Sequence, residues 1–82
     1  MNETQLHSVI CELFLNGDSG FPLDGDTDLL EEGICDSLGL VRLAQRIEQL
    51  AGVSIDDQDI TRENMASMGA ILAFVDRRRA GA

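Results

Sequence analysis

The chain has 82 residues, of which 44% are apolar; 15 acidic residues face six basic ones, giving a formal net charge of −9, and there is no Trp or Tyr. This length suits one domain, residues 1–82, with a single small core. The negative charge argues against nucleic acid and anionic membranes as partners. Two cysteines are too few for a disulfide-dense secreted scaffold.

The N-terminal segment MNETQLHS has no basic region followed by an apolar one, so it does not resemble a signal peptide. No apolar run approaches the roughly 18 residues that cross a bilayer. We therefore expect a soluble, cytoplasmic protein with no membrane partner, and a monomer.

Helix one is predicted over residues 3–15, and Asn16 and Gly17 end it. Its apolar positions form one helical face: Leu6, Val9, Ile10, Leu13 and Phe14. Residues 16–36 then predict a long acidic loop. Apolar residues pin this loop to the core: Phe21, Leu23, Leu29, Leu30 and Ile34. Within it, residues 28–32 can form a short helical turn that Asp26 or Thr27 caps and Gly33 ends.

Helix two is predicted to begin at Asp36 and Ser37, both favoured at helix starts, and to end at Gly52. A short third helix is predicted near residues 59–63, and Ser67 is a candidate N-cap for the final helix. That helix carries three arginines in its last turn, where cations complement the helix dipole. The fold class predicted is all-α: a small antiparallel bundle of three main helices plus one short helix, with a long loop between helices one and two.

The run Asp36-Ser37-Leu38 at the start of an amphipathic helix closely resembles the modification motif of acyl carrier proteins. The segment DLLEEGI at 28–34 before it and DITRENM at 59–65 after it extend the resemblance over nearly the whole chain. The resemblance implies a carrier without catalytic activity of its own, bearing 4'-phosphopantetheine covalently on Ser37. Asp36 would cap helix two and be read by the modifying enzyme, and Leu38 would be an exposed contact beside the arm.

The partners that the resemblance implies are a phosphopantetheinyl transferase using coenzyme A and Mg²⁺, an acyl-loading enzyme, and downstream synthase or transferase enzymes. In the typical fatty-acid carrier the exposed face of helix two is strongly acidic. Here that face has a positive balance, with Arg42 and Arg46 against Glu48. We therefore expect dedicated partners matched to Arg42 and Arg46 and not the fatty-acid enzymes.

Three further residues are candidate contacts for a partner or the arm. Gly39 is either retained for close approach of a partner or the arm, or reflects neutral drift. Val41 either lines a groove that shelters an acyl chain or belongs to the core. Ile60, the apolar anchor of the third-helix segment, is a candidate partner contact.

The run DSLGLV at 36–41 resembles stand-alone carriers of secondary metabolism, which favours polyketide or related biosynthesis. Ile34-Cys35-Asp36 before the serine favours the acyl branch over the peptidyl one. A peptidyl or aminoacyl carrier and a non-carrier helical adaptor remain alternatives. Cys35 either packs in the interior, which is preferred, or forms a mixed disulfide with the thiol of the arm.

The acidic residues Asp24, Asp26 and Asp28 occupy alternate positions, as in a calcium-binding loop. Such a loop needs Gly at its sixth position and Glu at its twelfth, where this chain has Leu29 and Cys35. No Cys and His spacing fits zinc, and the lone His7 has no evident nucleophile beside it. The sequence predicts no metal site and no catalytic centre.

Overall fold

The computed structural model describes residues 1–17 and 23–80. These residues contain helices and no strands, in this order: α1 Glu3–Phe14, α2 Ser37–Ala51, a 3-10 turn Asp57–Asp59, α3 Arg62–Met65 and α4 Met68–Ala80. The predicted all-α bundle of three main helices and one short helix is confirmed. The predicted loop anchor Phe21 lies outside the described residues.

α1 begins with a capping box that the sequence analysis missed. The Asn2 side chain accepts the N–H of Gln5 at 2.8 Å, and the Gln5 side chain accepts the N–H of Asn2 at 3.0 Å. The Asn-x-x-Gln spacing is the sequence signal that could have revealed it. The helix ends as predicted, since Asn16 and Gly17 both have left-handed backbone angles, with φ of 53° and 80°.

α2 and α4 start at the residues that the sequence indicated. The Asp36 carboxylate accepts the N–H of Gly39 at 2.7 Å, and the Ser67 hydroxyl accepts the N–H of Ala70 at 3.1 Å. At the far end of α2, Gly52 adopts φ 70° and its N–H donates to the carbonyl of Glu48. These local bonds satisfy helix-end groups that would otherwise lack partners.

α1 packs against α2 and α4, and α3 packs against α4. The first two helices run antiparallel, because Phe14 at the end of α1 approaches Gly39 near the start of α2. Together the helices enclose one apolar core: Leu6, Val9, Ile10, Leu29, Cys35, Leu40, Leu43, Ala44, Ile47, Ile55, Met65, Met68, Ile71, Phe74 and Val75. No helix in the described part of the chain is long and apolar enough to span a bilayer.

The loop before α2 is held against the junction of α3 and α4. Leu29 is fully buried, and its N–H donates to the carbonyl of Ala66 at 2.6 Å. The carbonyl of Gly25 accepts the N–H of Gly69 at 2.9 Å. The predicted pinning of this loop is therefore confirmed at Leu29, and it fixes the chain just before α2.

Residues 29–33 form a turn, close to the short helical turn that the sequence allows over 28–32. The cap differs from the prediction, because Asp28 fills that role and not Asp26 or Thr27. Its carboxylate accepts the N–H groups of Leu30 and Glu31 at 3.0 and 2.9 Å. One bond has α-helical spacing, from Glu32 N–H to the Asp28 carbonyl, and the next, from Gly33 N–H to the Leu30 carbonyl, has the spacing of a 3-10 helix. A single α-helical bond is too few for a helix to propagate.

The predicted third helix over 59–63 is divided into the 3-10 turn and α3. Asp59 closes the turn by accepting the N–H of Asp56 at 3.0 Å, and Thr61 starts α3 by accepting the N–H of Asn64 at 3.2 Å. Asp59 also pairs with Arg78 at 2.7 Å. This arginine of the α4 run therefore joins α4 to the turn, in addition to lying at a helix end that favours cations.

Candidate functional site

Ser37 is the first residue of α2, and its side chain is exposed. The first N–H groups of a helix lack intrahelical partners and carry partial positive charge, which suits an anion bonded at this position. The neighbouring Asp36 carboxylate is engaged as the helix cap through Gly39. The arrangement leaves the Ser37 hydroxyl accessible from solvent at a fixed helix start.

Beside Ser37 lies an open cavity of about 890 Å³. Its residues come from the end of α1, the loop, α2 and α3: Leu13, Phe14, Leu30, Gly33, Ile34, Cys35, Asp36, Ser37, Leu38, Gly39, Arg42 and Arg62. Cavities of about 300–1,000 Å³ hold small organic ligands in proteins. The cavity thus combines an apolar wall, two guanidinium groups and an exposed serine.

The cavity gathers six residues that the sequence singled out: Cys35, Asp36, Ser37, Leu38, Gly39 and Arg42. The predicted site does not include the other lining residues: Leu13, Phe14, Leu30, Gly33, Ile34 and Arg62. A local pattern could not place Leu13, Phe14 or Arg62 there, because α1 and α3 meet Ser37 only through the tertiary fold. Leu30 and Ile34 precede Ser37 closely in the chain, within the segment DLLEEGI. The apolar face of α1 is the sequence signal for Phe14, because that face continues to the end of the helix.

Val41, Arg46 and Ile60 lie outside this cavity. Val41 is 36% exposed on the surface of α2, so the alternative that it belongs to the core is wrong. Its place in a groove for an acyl chain stays a prediction. Arg46 forms an ion pair with Glu12 at 2.6 Å that joins α2 to α1. Ile60 is half-buried and packs against the core.

Gly39 is buried and borders the cavity beside Ser37. A Cβ atom at this position would lie 2.9 Å from the Cβ of Cys35 and 3.0 Å from Cε1 of Phe14. The close approach for which glycine is required therefore occurs inside the protein. It brings the end of α1 and the loop against the first turn of α2.

We expect Gly39→Ala to lower the free energy of unfolding by about 1–2 kcal/mol. Overpacking costs about 1–3 kcal/mol, and the better helix propensity of alanine returns up to about 1 kcal/mol. Urea denaturation measures the difference. Gly25→Ala is the matched control, since a Cβ at Gly25 meets nothing within 4 Å. Equal effects of the two substitutions would contradict this account of Gly39.

Cys35 is buried in the core and next to Asp36, as the preferred packing interpretation predicted. Burial raises the pKa of its thiol, and the nearby charges of Asp36 and Asp28 raise it further. The reactive thiolate is therefore disfavoured in the folded protein. This environment suits a packing residue better than a redox-active one.

We expect iodoacetamide to modify Cys35 much more slowly in the folded protein than in urea. The folded state holds the Cys35 thiol proton to higher pH than the unfolded state does. The contribution of this group to the free energy of unfolding is therefore at its full value below the ordinary thiol pKa. That contribution is lost as the pH rises through the raised pKa of Cys35 in the folded protein. Peptide mass spectrometry after timed alkylation measures the rate at this residue. Equal rates in the folded and unfolded protein would contradict the proposed burial.

No group of three or more His, Cys, Asp or Glu residues in the described ranges is arranged to hold a metal ion. Of the acidic residues considered for calcium, Asp24 accepts the N–H of Asp26 at 2.9 Å and the hydroxyl of Thr27 at 3.1 Å. His7 lies 3.5 Å from the sulfur of Cys11 on α1. These groups have local structural roles.

The residues around Ser37 fit a covalently attached phosphopantetheine arm. The Ser37 hydroxyl is exposed, so a phosphodiester can form on it. Arg42 and Arg62 supply cations beside an anion, and the apolar wall of the cavity matches the uncharged part of the arm. The two arginines and the open cavity therefore both fit the arm.

Comparisons with known proteins point to the same family. A family profile described as phosphopantetheine attachment site matches residues 5–74. The probable acyl carrier protein PigG of Serratia sp. (strain ATCC 39006) is 35% identical over 80 residues, covering 98% of this chain and 91% of that protein. The D-alanyl carrier protein of Abiotrophia defectiva is 33% identical over 55 residues, covering 67% and 70% respectively.

Among solved structures, a chain in the crystal structure of an FAD-dependent dehydrogenase matches with a TM-score of 0.67 and 32% identity. The match covers 87% of this chain and 97% of that chain. The profile spans most of the sequence, and the helical bundle agrees with it. The chain therefore belongs to the family of phosphopantetheine-bearing carrier proteins, whose covalent cofactor is 4'-phosphopantetheine.

Proposed function

We propose that Ser37 is the attachment point of the arm and that the chain carries a biosynthetic acyl intermediate to partner enzymes. The observation that carries this proposal is the exposed hydroxyl at the first residue of α2, inside the Asp-Ser-Leu motif and beside an open cavity. When bound, the arm supplies a terminal thiol that holds cargo as a thioester. The chain itself binds and presents the cargo, as one domain over residues 1–82 and without catalysis.

Asp36 and Leu38 are proposed to be read by the phosphopantetheinyl transferase. Asp36 holds the start of α2 in place through Gly39, so that Ser37 is presented in a fixed position. Leu38 is 76% exposed, which offers an apolar contact directly beside the serine. Both residues can therefore touch an enzyme that reaches the Ser37 hydroxyl.

The cargo is proposed to be a small acyl unit of polyketide or related secondary metabolism. The similarity to an acyl carrier over nearly the whole chain supports the acyl class. An aminoacyl cargo is the second candidate, because a D-alanyl carrier also matches. The mass of the acyl-pantetheine released from protein isolated from its native cell decides between these two classes.

The partner surface is proposed to include Leu38, Val41, Arg42, Arg46 and Ile60, on a cytoplasmic monomer. Leu38 and Val41 are exposed apolar residues one turn apart on α2. Arg42 follows Val41 and is exposed, whereas the ion pair with Glu12 restrains Arg46. The partners are a loading enzyme and downstream enzymes acting on the thioester. A flavin-dependent dehydrogenase belongs in the assay panel because of the structural match.

The attachment is tested by incubating the apo protein with a promiscuous phosphopantetheinyl transferase, coenzyme A and Mg²⁺. Intact mass should increase by one phosphopantetheine, and peptide mapping should place it on Ser37. Mapping to Ser54, which is also exposed, would overturn the assignment. No mass gain would overturn the proposed carrier function itself.

Charge reversal at Arg42 tests the partner surface. We expect Arg42→Glu to slow loading by the cognate enzyme roughly tenfold at low ionic strength, because surface charges act mainly on association. Arg42 is a cleaner probe than Arg46, where a glutamate would also face Glu12. Arg77→Glu makes the same charge change on α4 and should load normally. Faster loading of Arg42→Glu would contradict the proposal.

A further inference from the structure

The six basic residues of this chain are all arginines, and their surroundings differ. Arg46 and Arg78 form ion pairs with carboxylates. The other four form no ion pair with the described residues and are exposed: Arg42 on α2, Arg62 on α3, and Arg77 and Arg79 on α4. Among these four, Arg42 and Arg62 are the two that border the same cavity as Ser37.

The position of these two cations is notable on a chain with a formal net charge of −9. Both arginines are exposed at the cavity, and the one carboxylate among its described lining residues, that of Asp36, accepts the N–H of Gly39 as the cap of α2. Guanidinium binds phosphate oxygens through directed, charge-assisted hydrogen bonds. Arg42 and Arg62 at the edge of the cavity therefore suit a phosphate-type anion.

The arm provides such an anion at a defined place. Its phosphodiester is bonded directly to the Ser37 hydroxyl and keeps a negative charge at all physiological pH values. The start of α2 offers the partial positive charge of its N–H groups on the same side of the molecule. Arg42, four residues before Arg46 along α2, reaches this region, while Arg62 borders it from a different helix.

We infer that Arg42 and Arg62 bind the phosphodiester of the arm beside Ser37, so that they position the arm along the cavity. This inference rests on the attachment to Ser37 proposed above. Both arginines are positioning residues. Their pairing with the phosphodiester offsets the negative charge that modification adds to an already acidic chain.

The test compares the apo and holo forms of the whole protein by NMR. The side-chain Nε–H resonances of Arg42 and Arg62 should move when the arm is attached. Those of Arg77, which lies on α4 outside the cavity, should stay. Holo protein with a free thiol carries the phosphodiester as the one charge of the arm, so cargo carboxylates cannot cause the response.

A second measurement uses the phosphorus resonance of the holo protein. In the variant Arg42→Gln with Arg62→Gln, the ³¹P line should narrow and shift toward that of a freely mobile diester, whereas Arg77→Gln should leave it unchanged. Salt at about 1 M, where the Debye length is about 3 Å, should move the wild-type line in the same direction. Both arginines are exposed, so the variant should keep the apo fold.

The outcomes separate the two proposals. A protein that gains no phosphopantetheine overturns both the attachment and this inference. A protein that gains it on Ser37, yet shows the same ³¹P line in the double variant and unmoved Arg42 and Arg62 resonances, overturns the inference alone. Equal responses of Arg77 and the cavity arginines would also overturn it, since the effect would then be general charge screening.

Discussion

Ser37→Ala is expected to abolish the gain of phosphopantetheine completely while leaving the fold unchanged. The substitution removes the hydroxyl that forms the phosphodiester. The helix start does not depend on that hydroxyl, because Asp36 caps α2 through the N–H of Gly39. Alanine also has a higher helix propensity than serine. Intact mass spectrometry measures the modification, and thermal denaturation followed by circular dichroism measures the fold.

Ser54→Ala is the matched control for this experiment. Ser54 is exposed in the link after α2, and this substitution likewise removes one serine hydroxyl from the surface. This variant should gain one phosphopantetheine at the wild-type rate. A residual mass gain in Ser37→Ala would mean that another residue accepts the arm, and the proposed site would then be wrong.

Leu43→Ala is expected to lower the free energy of unfolding by about 2–5 kcal/mol. Leu43 lies on the buried face of α2 and is 0% exposed, so its truncation leaves a cavity in the shared core. Small domains have total stabilities near the lower part of the range of about 5–15 kcal/mol. The variant should therefore be marginally folded. Its midpoint in urea denaturation provides the measurement.

The same substitution on the opposite face of the helix supplies the control. Leu38→Ala should change the free energy of unfolding by no more than about 0.5 kcal/mol, because Leu38 is 76% exposed. The two variants have the same chemical change within one helix and differ only in burial. Similar urea midpoints for both would show that α2 does not pack as described.

The parts of the fold that depend on local chemistry could be predicted. Asp36 and Ser67 were recognised as helix starts, and Gly52 as a helix end, because capping bonds involve residues only a few positions apart. The segment over 28–32 was predicted less well. The same local signals fit both a turn and a short helix there, and the bond from Leu29 to Ala66 lies outside any local window.

The candidate site shows the same limit more sharply. Ser37 could be identified from its motif, but the role of Gly39 depends on Phe14, which is 25 positions earlier in the chain. Arg42 and Arg46 looked equivalent on one helix face. Only the tertiary fold distinguishes them, because Glu12 neutralises Arg46 and leaves Arg42 at the cavity.

The tight packing at Gly39 has a consequence for cargo delivery. The first turn of α2 packs closely against the end of α1 and the preceding loop at Gly39. With the arm on Ser37 as proposed, we expect this backbone to be a fixed point for the arm. Any swinging of the cargo must then occur in the arm, beyond the serine. Its reach is therefore fixed by the length of the arm. For delivery to an active site outside that radius, the whole carrier must travel from one enzyme to the next.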